Sequence, residues 1–458
     1  MIQSQKSTIN KAPWIALSIL LAALFFITKG PKLQDNRGQK NPFIHDVNNY
    51  YSYLPAAFIH QDLSFSFPHN YWMTQGPKGH KIAKGTMGMS ILYSPFFGIA
   101  YLHASISGDN LNGYSPPFSF WIHFGTLLYA LIAAYFLLRS LMEFFKPIVA
   151  VLSYFSILFG TNYYYYLLGQ GELTHSYLFM LFSIIIWLSI KWHQKPNSKT
   201  LVGISLLCGL VSLIRPTDII IILFPLLFGV YNWKSLKAKI KILGNNKLSL
   251  VIASVLFFLP LLPQLIYWKV FSGSFLFFSY GSEEGFFFND PQILNVLFSF
   301  RKGWFIYTPL ALIMALGIIG LWKSKNKLAL PISLLLVLNI YIVSCWWDWW
   351  FGGSFGHRAF VQYYAILAFP LALMIQWGTN KWWKLLPFSG IVLFCIGLNI
   401  FQTSQFRHSI IHWEAMSKDA YYYVWGKKGL SAEEYKKAES LLVRPDYEGA
   451  RNGKRDLK

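Results

Sequence analysis

Apolar runs close to the ~20 residues needed to cross a bilayer recur along this chain, and they constrain its fold more than any motif does. Eleven are legible, near 13 to 28, 118 to 138, 148 to 166, 176 to 190, 200 to 214, 219 to 232, 248 to 268, 303 to 322, 329 to 344, 359 to 377 and 385 to 402. Hydrocarbon offers an open backbone no hydrogen-bond partner, so such runs must close their bonds internally as helices. The expectation is an all-α polytopic membrane protein of about 11 transmembrane helices. A composition of 54% hydrophobic and 13% charged residues excludes an ordinary cytosolic enzyme. The three Cys, Cys208, Cys345 and Cys395, sit in or beside apolar runs and form neither a disulfide framework nor a zinc motif.

Lys and Arg near span ends resist translocation, which orients the set. With the N-terminus cytoplasmic, the inner segments hold 17 Lys and Arg and the much longer outer loops before the tail hold 12. The formal charge of +21 is thereby explained without a nucleic-acid partner. Of eleven carboxylates before residue 403, ten fall on the outer side and only Glu143 on the inner. Polar chemistry is expected outside. A further apolar segment, Met87 to Ile106, would invert every later loop if it crossed, so it reads as re-entrant or interfacial. The first run carries no small-x-small cleavage site before Lys29 and reads as an anchor. The chain then divides into a membrane domain, 1 to 402, with a long first outer loop at 29 to 117, and a polar tail, 403 to 458, placed outside by parity.

That first loop holds His45-Asp46 ahead of the aromatic stretch Tyr50-Tyr51-Ser52-Tyr53. Asp46 is a candidate general base, and the competing reading is a helix N-cap. Glu172 and His175, three apart after Gly169-Gln170-Gly171, would share one helix face and suit a sugar hydroxyl or a divalent ion. A cofactor is not established by so few donors; if an ion is bound, Asp46, Glu172 and His175 are its candidate ligands. Arg215, at the apex of a short apolar hairpin, and Arg301, ending a span, suit a lipid phosphate through a bidentate fork. Lys302 reads instead as snorkelling to the interface. The segment Cys345-Trp346-Trp347-Asp348-Trp349-Trp350-Phe351-Gly352-Gly353-Ser354-Phe355-Gly356-His357-Arg358 packs four Trp around one Asp. An interfacial aromatic belt explains isolated Trp well and this Gly-rich cluster poorly. Its Trp faces suit sugar rings, and its Asp and Arg suit hydroxyls or phosphate.

These features together resemble the GT-C superfamily of polytopic glycosyltransferases, which includes protein O-mannosyltransferases and lipid A aminoarabinose transferases. The resemblance rests on Asp46 in the first outer loop, Glu172 and His175 before the fourth span, and the Arg215-Pro216-Thr217 turn. It is nearest to a bacterial group with Tyr-x-Tyr-Leu-Pro after the first acid, here Tyr51 to Pro55, and with the Trp346 to Arg358 motif. It covers roughly residues 13 to 402. It implies a glycosyltransferase in the bacterial inner membrane, with a polyprenyl-phosphate sugar as donor, an envelope lipid, glycan or protein as acceptor, and a site facing the periplasm or exterior. Asp46 is then catalytic with Glu172 beside it, while His45, Tyr50, His175, Arg215, Arg301, Trp346, Trp347, Asp348, His357 and Arg358 bind substrate. The paired acids of many relatives are absent, since Asp46 is flanked by His45 and Val47. A carrier or flippase of lipid-linked sugars, and an oligosaccharide ligase or polymerase, are the alternatives.

Overall fold

The computed structural model describes residues 42–455. It is mostly helical, and the one sheet among the described residues is a small antiparallel hairpin that pairs Met73–Gln75 with Lys81–Ala83. Five helices are long and apolar enough to cross a membrane: Gly88–Ser107, Pro116–Leu141, Thr174–Gln194, Lys247–Ser272 and Trp382–Arg407. Six shorter apolar helices accompany them: Pro147–Gly160, Ser198–Ile214, Pro216–Leu227, Leu310–Lys323, Ala329–Cys345 and Tyr364–Thr379. The first expected span, 13 to 28, lies outside the described residues, and each of the other ten falls on one of these helices.

Polar breaks account for the short ones. The third expected span stops at Thr161-Asn162 and resumes as Tyr163–Leu168, and the eighth is split at Thr308-Pro309 between Trp304–Tyr307 and Leu310–Lys323. Pro216–Leu227 begins as a 3₁₀ helix through Ile222, whose longer rise carries twelve residues across about 20 Å. Helices cross closely where a side chain is missing. A Cβ on Gly317 would lie 2.2 Å from the Pro370 carbonyl, and one on Gly209 would lie 2.1 Å from the Phe257 carbonyl. Small residues let membrane helices approach where no hydrophobic effect drives them together.

The loops sort to two ends. At one end Lys191 bonds Glu143 at 2.6 Å, the Gly229 amide bonds the Lys327 carbonyl at 3.0 Å, and Lys239 meets His193 and the Pro225 carbonyl. These are the segments assigned to the inner side. At the other end Asp46, Lys84, Glu172, Glu284, Asp348 and Arg358 gather with the first loop. That loop is ordered by Tyr51 donating to the Gly113 carbonyl at 2.6 Å, Tyr53 to the Gly85 carbonyl at 2.8 Å, and the Met87 amide to Gln264 at 2.8 Å. Gly88–Ser107 lies beside only the first half of Pro116–Leu141: Phe97 meets Phe118, and Tyr129 bonds the Leu92 carbonyl.

Residues 403 to 455 are not a loose tail. The last long helix runs on to Arg407, and the helices Lys418–Val424, Ala432–Ser440 and Tyr447–Arg451 fold back onto the Trp-rich loop. Tyr447 lies against both Trp347 and Trp350.

Candidate functional site

Asp46 is the second residue of the helix His45–Tyr51 and does not cap it; the N-cap is Ile44. Its neighbour His45 has φ 47°, a left-handed conformation that costs a non-glycine residue energy and turns the chain sharply into the helix. The Asp46 carboxylate accepts a hydrogen bond from Arg358 Nη1 at 3.0 Å, across 312 positions of sequence. Both partners are partly open, at 27% and 20% side-chain exposure. A pair enclosed to this degree has given up much of its hydration, so stability alone does not account for it.

Arg358 is presented by a loop built around positive φ at Phe351 (56°), Gly352 (55°) and Gly356 (56°). A Cβ on Gly356 would approach the Tyr307 Cβ to 2.9 Å, so this turn excludes a side chain. The polar breaks hold the loop: Asn162 donates to the Phe355 carbonyl at 3.1 Å, and Tyr166 accepts from the Phe355 amide at 3.0 Å. Arg215 stacks over the strained Phe351 ring at 5.1 Å. Charges on Asp46, Arg215 and Arg358 all reach Tyr50 and the exposed Tyr280. Lys84, paired with Glu284 at 2.8 Å, lies over the Tyr280 ring. The group therefore comprises Asp46, Tyr50, Arg215, Tyr280 and Arg358. His45 stands at its edge, 6.3 Å from Trp72.

His357 lies behind Arg358, buried, with Nε2 bonded to the Trp349 carbonyl at 3.0 Å. Burial pushes its pKa down to about 3, and the Arg215, Lys302 and Arg358 charges add to this, so the ring is neutral. Asp348 Oδ1 is enclosed and has no hydrogen-bond partner among the described residues. Burial pushes its carboxyl up to about 7, against the Gly352 amide and the Arg358 and Lys302 charges. The folded chain thus holds a proton that the unfolded chain, near 3.8, releases. Stability should therefore fall as pH rises from about 4 to about 7, by up to about 1.4 kcal/mol per pH unit. Melting curves of wild type and Asp348→Asn across that range check this: the slope should flatten in the variant, and an equal slope in both removes Asp348 as its source.

Several expected site residues are engaged elsewhere. Glu172 meets His123 at 2.7 Å and its carbonyl accepts from Tyr93, so its carboxylate is paired with His123 rather than with Asp46's partner Arg358. Arg301 is buried and donates to the tail carbonyls of Glu414 at 2.8 Å and Val443 at 2.7 Å. Lys302 does not snorkel: it is 1% exposed and donates to the carbonyls of Ser354 and Trp413. Trp347, Trp349 and Trp350 are buried, and stacking on a sugar needs an accessible face. Only Trp346 of the four is partly exposed, against Phe286 and Tyr280. Asp46, Glu172 and His175 do not fit a shared ion, each being bonded to a different partner. Among the described residues no group of three or more His, Cys, Asp or Glu gathers as a metal site.

The sequence reading passed over Tyr280, Asn162, Asp218, Gln362 and Arg455. Arg455 is the most extended in reach: it caps the end of Ala329–Cys345 through the Ser344, Cys345 and Trp346 carbonyls, each at 3.2 Å, and bonds Asp290 at 2.9 Å. Apart from the odd placement of polar residues within apolar runs, no local signal marks these positions.

No protein-family model and no curated protein sequence matches the chain. Solved structures do. The apo form of the oligosaccharyltransferase from Archaeoglobus fulgidus aligns with a TM-score of 0.50 at 13% identity, over 96% of this chain and 61% of that one. The archaeal oligosaccharyltransferase AglB from the same organism, in complex with an inhibitory peptide and a dolichol-phosphate, aligns at 0.48 and 11% identity, over 95% and 60%. The chain thus spans about three fifths of the length of the structures it resembles. At this identity the likeness is one of fold: nearly the whole chain adopts the fold of the apo oligosaccharyltransferase.

Proposed function

We propose that this chain is an integral-membrane glycosyltransferase that moves a sugar from a polyprenyl-phosphate donor to an acceptor in the cell envelope, a lipid, glycan or protein. The reading is supported above all by the Asp46–Arg358 pair, an acid and a phosphate-binding cation set together at the polar end of an apolar bundle. The shared fold with an oligosaccharyltransferase supports it further. Eleven spans, with this end facing the exterior of the bacterial inner membrane, complete the proposal.

In the reaction the donor phosphate competes for Arg358, with Arg215 alongside, and takes the guanidinium from Asp46. The released carboxylate accepts the proton of the attacking acceptor hydroxyl while that oxygen bonds to the anomeric carbon. The bond from that carbon to the phosphate oxygen breaks, and lipid phosphate leaves on the two arginines. Exchanging the carboxylate for a phosphate keeps the guanidinium paired with an anion throughout.

Purified protein in lipid nanodiscs, given radiolabelled polyprenyl-phosphate glucose or mannose and a total envelope extract, should release lipid phosphate and label an acceptor. Binding without bond cleavage would establish a carrier instead. In intact cells, cysteines placed at Gln170 and Asn289 should react with an impermeant thiol reagent, and one at Asn245 should not. Labelling at Asn245 would reverse the bundle and put the site inside.

A further inference from the structure

His175 is the second residue of the helix Thr174–Gln194, with 3% of its surface exposed, and its ring meets Tyr166 edge-on at 5.5 Å. Its Nδ1 lies 3.1 Å from Gln362 Oε1. The same Gln362 donates through Nε2 to Asp218 Oδ2 at 2.9 Å, and Tyr363 donates to Asp218 Oδ1 at 2.8 Å. All of these groups are buried. Gln362 gives its amide NH₂ to Asp218, which also accepts from Tyr363. The carbonyl of Gln362 is then turned to His175 and can only accept, so the imidazole proton must sit on Nδ1. His175 Nε2 keeps its lone pair and bonds to no protein group among the described residues. The charged groups whose fields reach this ring are Arg215 and Arg358, with the neutral His357 ring also nearby.

Two cations and one neutral acceptor make a particular recognition pattern. Arg215 and Arg358 suit anionic oxygens, which a nitrogen lone pair repels. A hydroxyl is the complementary partner of that lone pair. We infer that the buried Asp218–Gln362–His175 chain fixes His175 as a hydrogen-bond acceptor for a sugar hydroxyl lying close to the phosphate held by Arg215 and Arg358. This rests on the function proposed above and assigns His175 a role in choosing sugar-bearing over bare lipid phosphate. Asp218 and Gln362 are positioning residues that act through it.

Two measurements test it. In protein labelled with ¹⁵N-histidine, the resonance lost in His175→Phe should show its proton on Nδ1, and Asp218→Asn should mix the two tautomers. A proton on Nε2 in the wild type overturns the inference. In nanodiscs, wild type should bind prenyl-phosphate glucose or prenyl-phosphate mannose at least tenfold tighter than prenyl phosphate. His175→Phe and Gln362→Leu should lower that preference at least fivefold, with prenyl-phosphate binding changed less than twofold, and His175→Gln should restore part of it. An equal loss for sugar-bearing and bare lipid overturns the role in discrimination. Wild type binding none of the three lipids would instead overturn the donor class, a failure separable from the tautomer result.

Discussion

Asp46→Asn should fold, insert and bind donor, yet lose about 10²- to 10⁴-fold in turnover, the usual contribution of a positioned proton acceptor. The amide keeps the shape of the carboxylate but takes no proton. Removing the charge leaves Arg358 unpaired, but that side chain is 20% exposed and water can solvate it. Stability should therefore fall by about 1 to 3 kcal/mol, between the values for an exposed and a fully buried pair. Turnover per folded molecule of purified protein is the measurement, with donor binding measured in parallel. Activity within a few fold of wild type would remove Asp46 as the base.

Arg358→Ala should be nearly as damaging, lowering turnover by about 10²- to 10³-fold, because one preorganised donor to a developing anion carries a contribution of that order. The variant leaves Asp46 negative, and an approaching phosphate then meets a charge of its own sign. Donor KM should therefore rise as well as kcat fall. Arg358→Lys should recover part of the binding and little of the turnover, since a point charge replaces a planar fork. The three variants are separated by kcat and KM on one donor. Equal kinetics for Lys and wild type would show that charge alone suffices.

The bundle was legible because the helices answer to local composition: ten expected spans from 118 to 402 fall on helices. Asp46, Arg215 and Arg358 were singled out by residue type and by the family resemblance, and the folded chain sets Asp46 against Arg358 with the Arg215 charge reaching the same Tyr50 and Tyr280. Their mutual distances were not legible. Nothing in the sequence near Asp46 marks its partner as Arg358 rather than Arg301, and the choice is made by Glu414 and Val443 occupying Arg301. Glu172 was grouped with Asp46 through the family resemblance, and its carboxylate meets His123, which lies inside an expected span. The Trp cluster was read as a binding surface because Trp content does not reveal exposure; the folded tail buries three of the four rings. Tyr280 and Gln362 are ordinary residues in ordinary surroundings until distant segments meet them.

The clasp of Arg455 on Ser344, Cys345, Trp346 and Asp290 has a consequence for biosynthesis. A ribosome delivers Asp46 early and Arg358 some 300 residues later, and Arg455 emerges about a hundred residues after that. Arg301 and Lys302 likewise wait for Glu414, Val443 and Trp413. Spans can insert one by one during translation, but the Trp-rich loop receives these supports only after Arg455 has been made. Nascent chains arrested before residue 403 should therefore be membrane-inserted and catalytically silent, so that the protein becomes competent in a single late step.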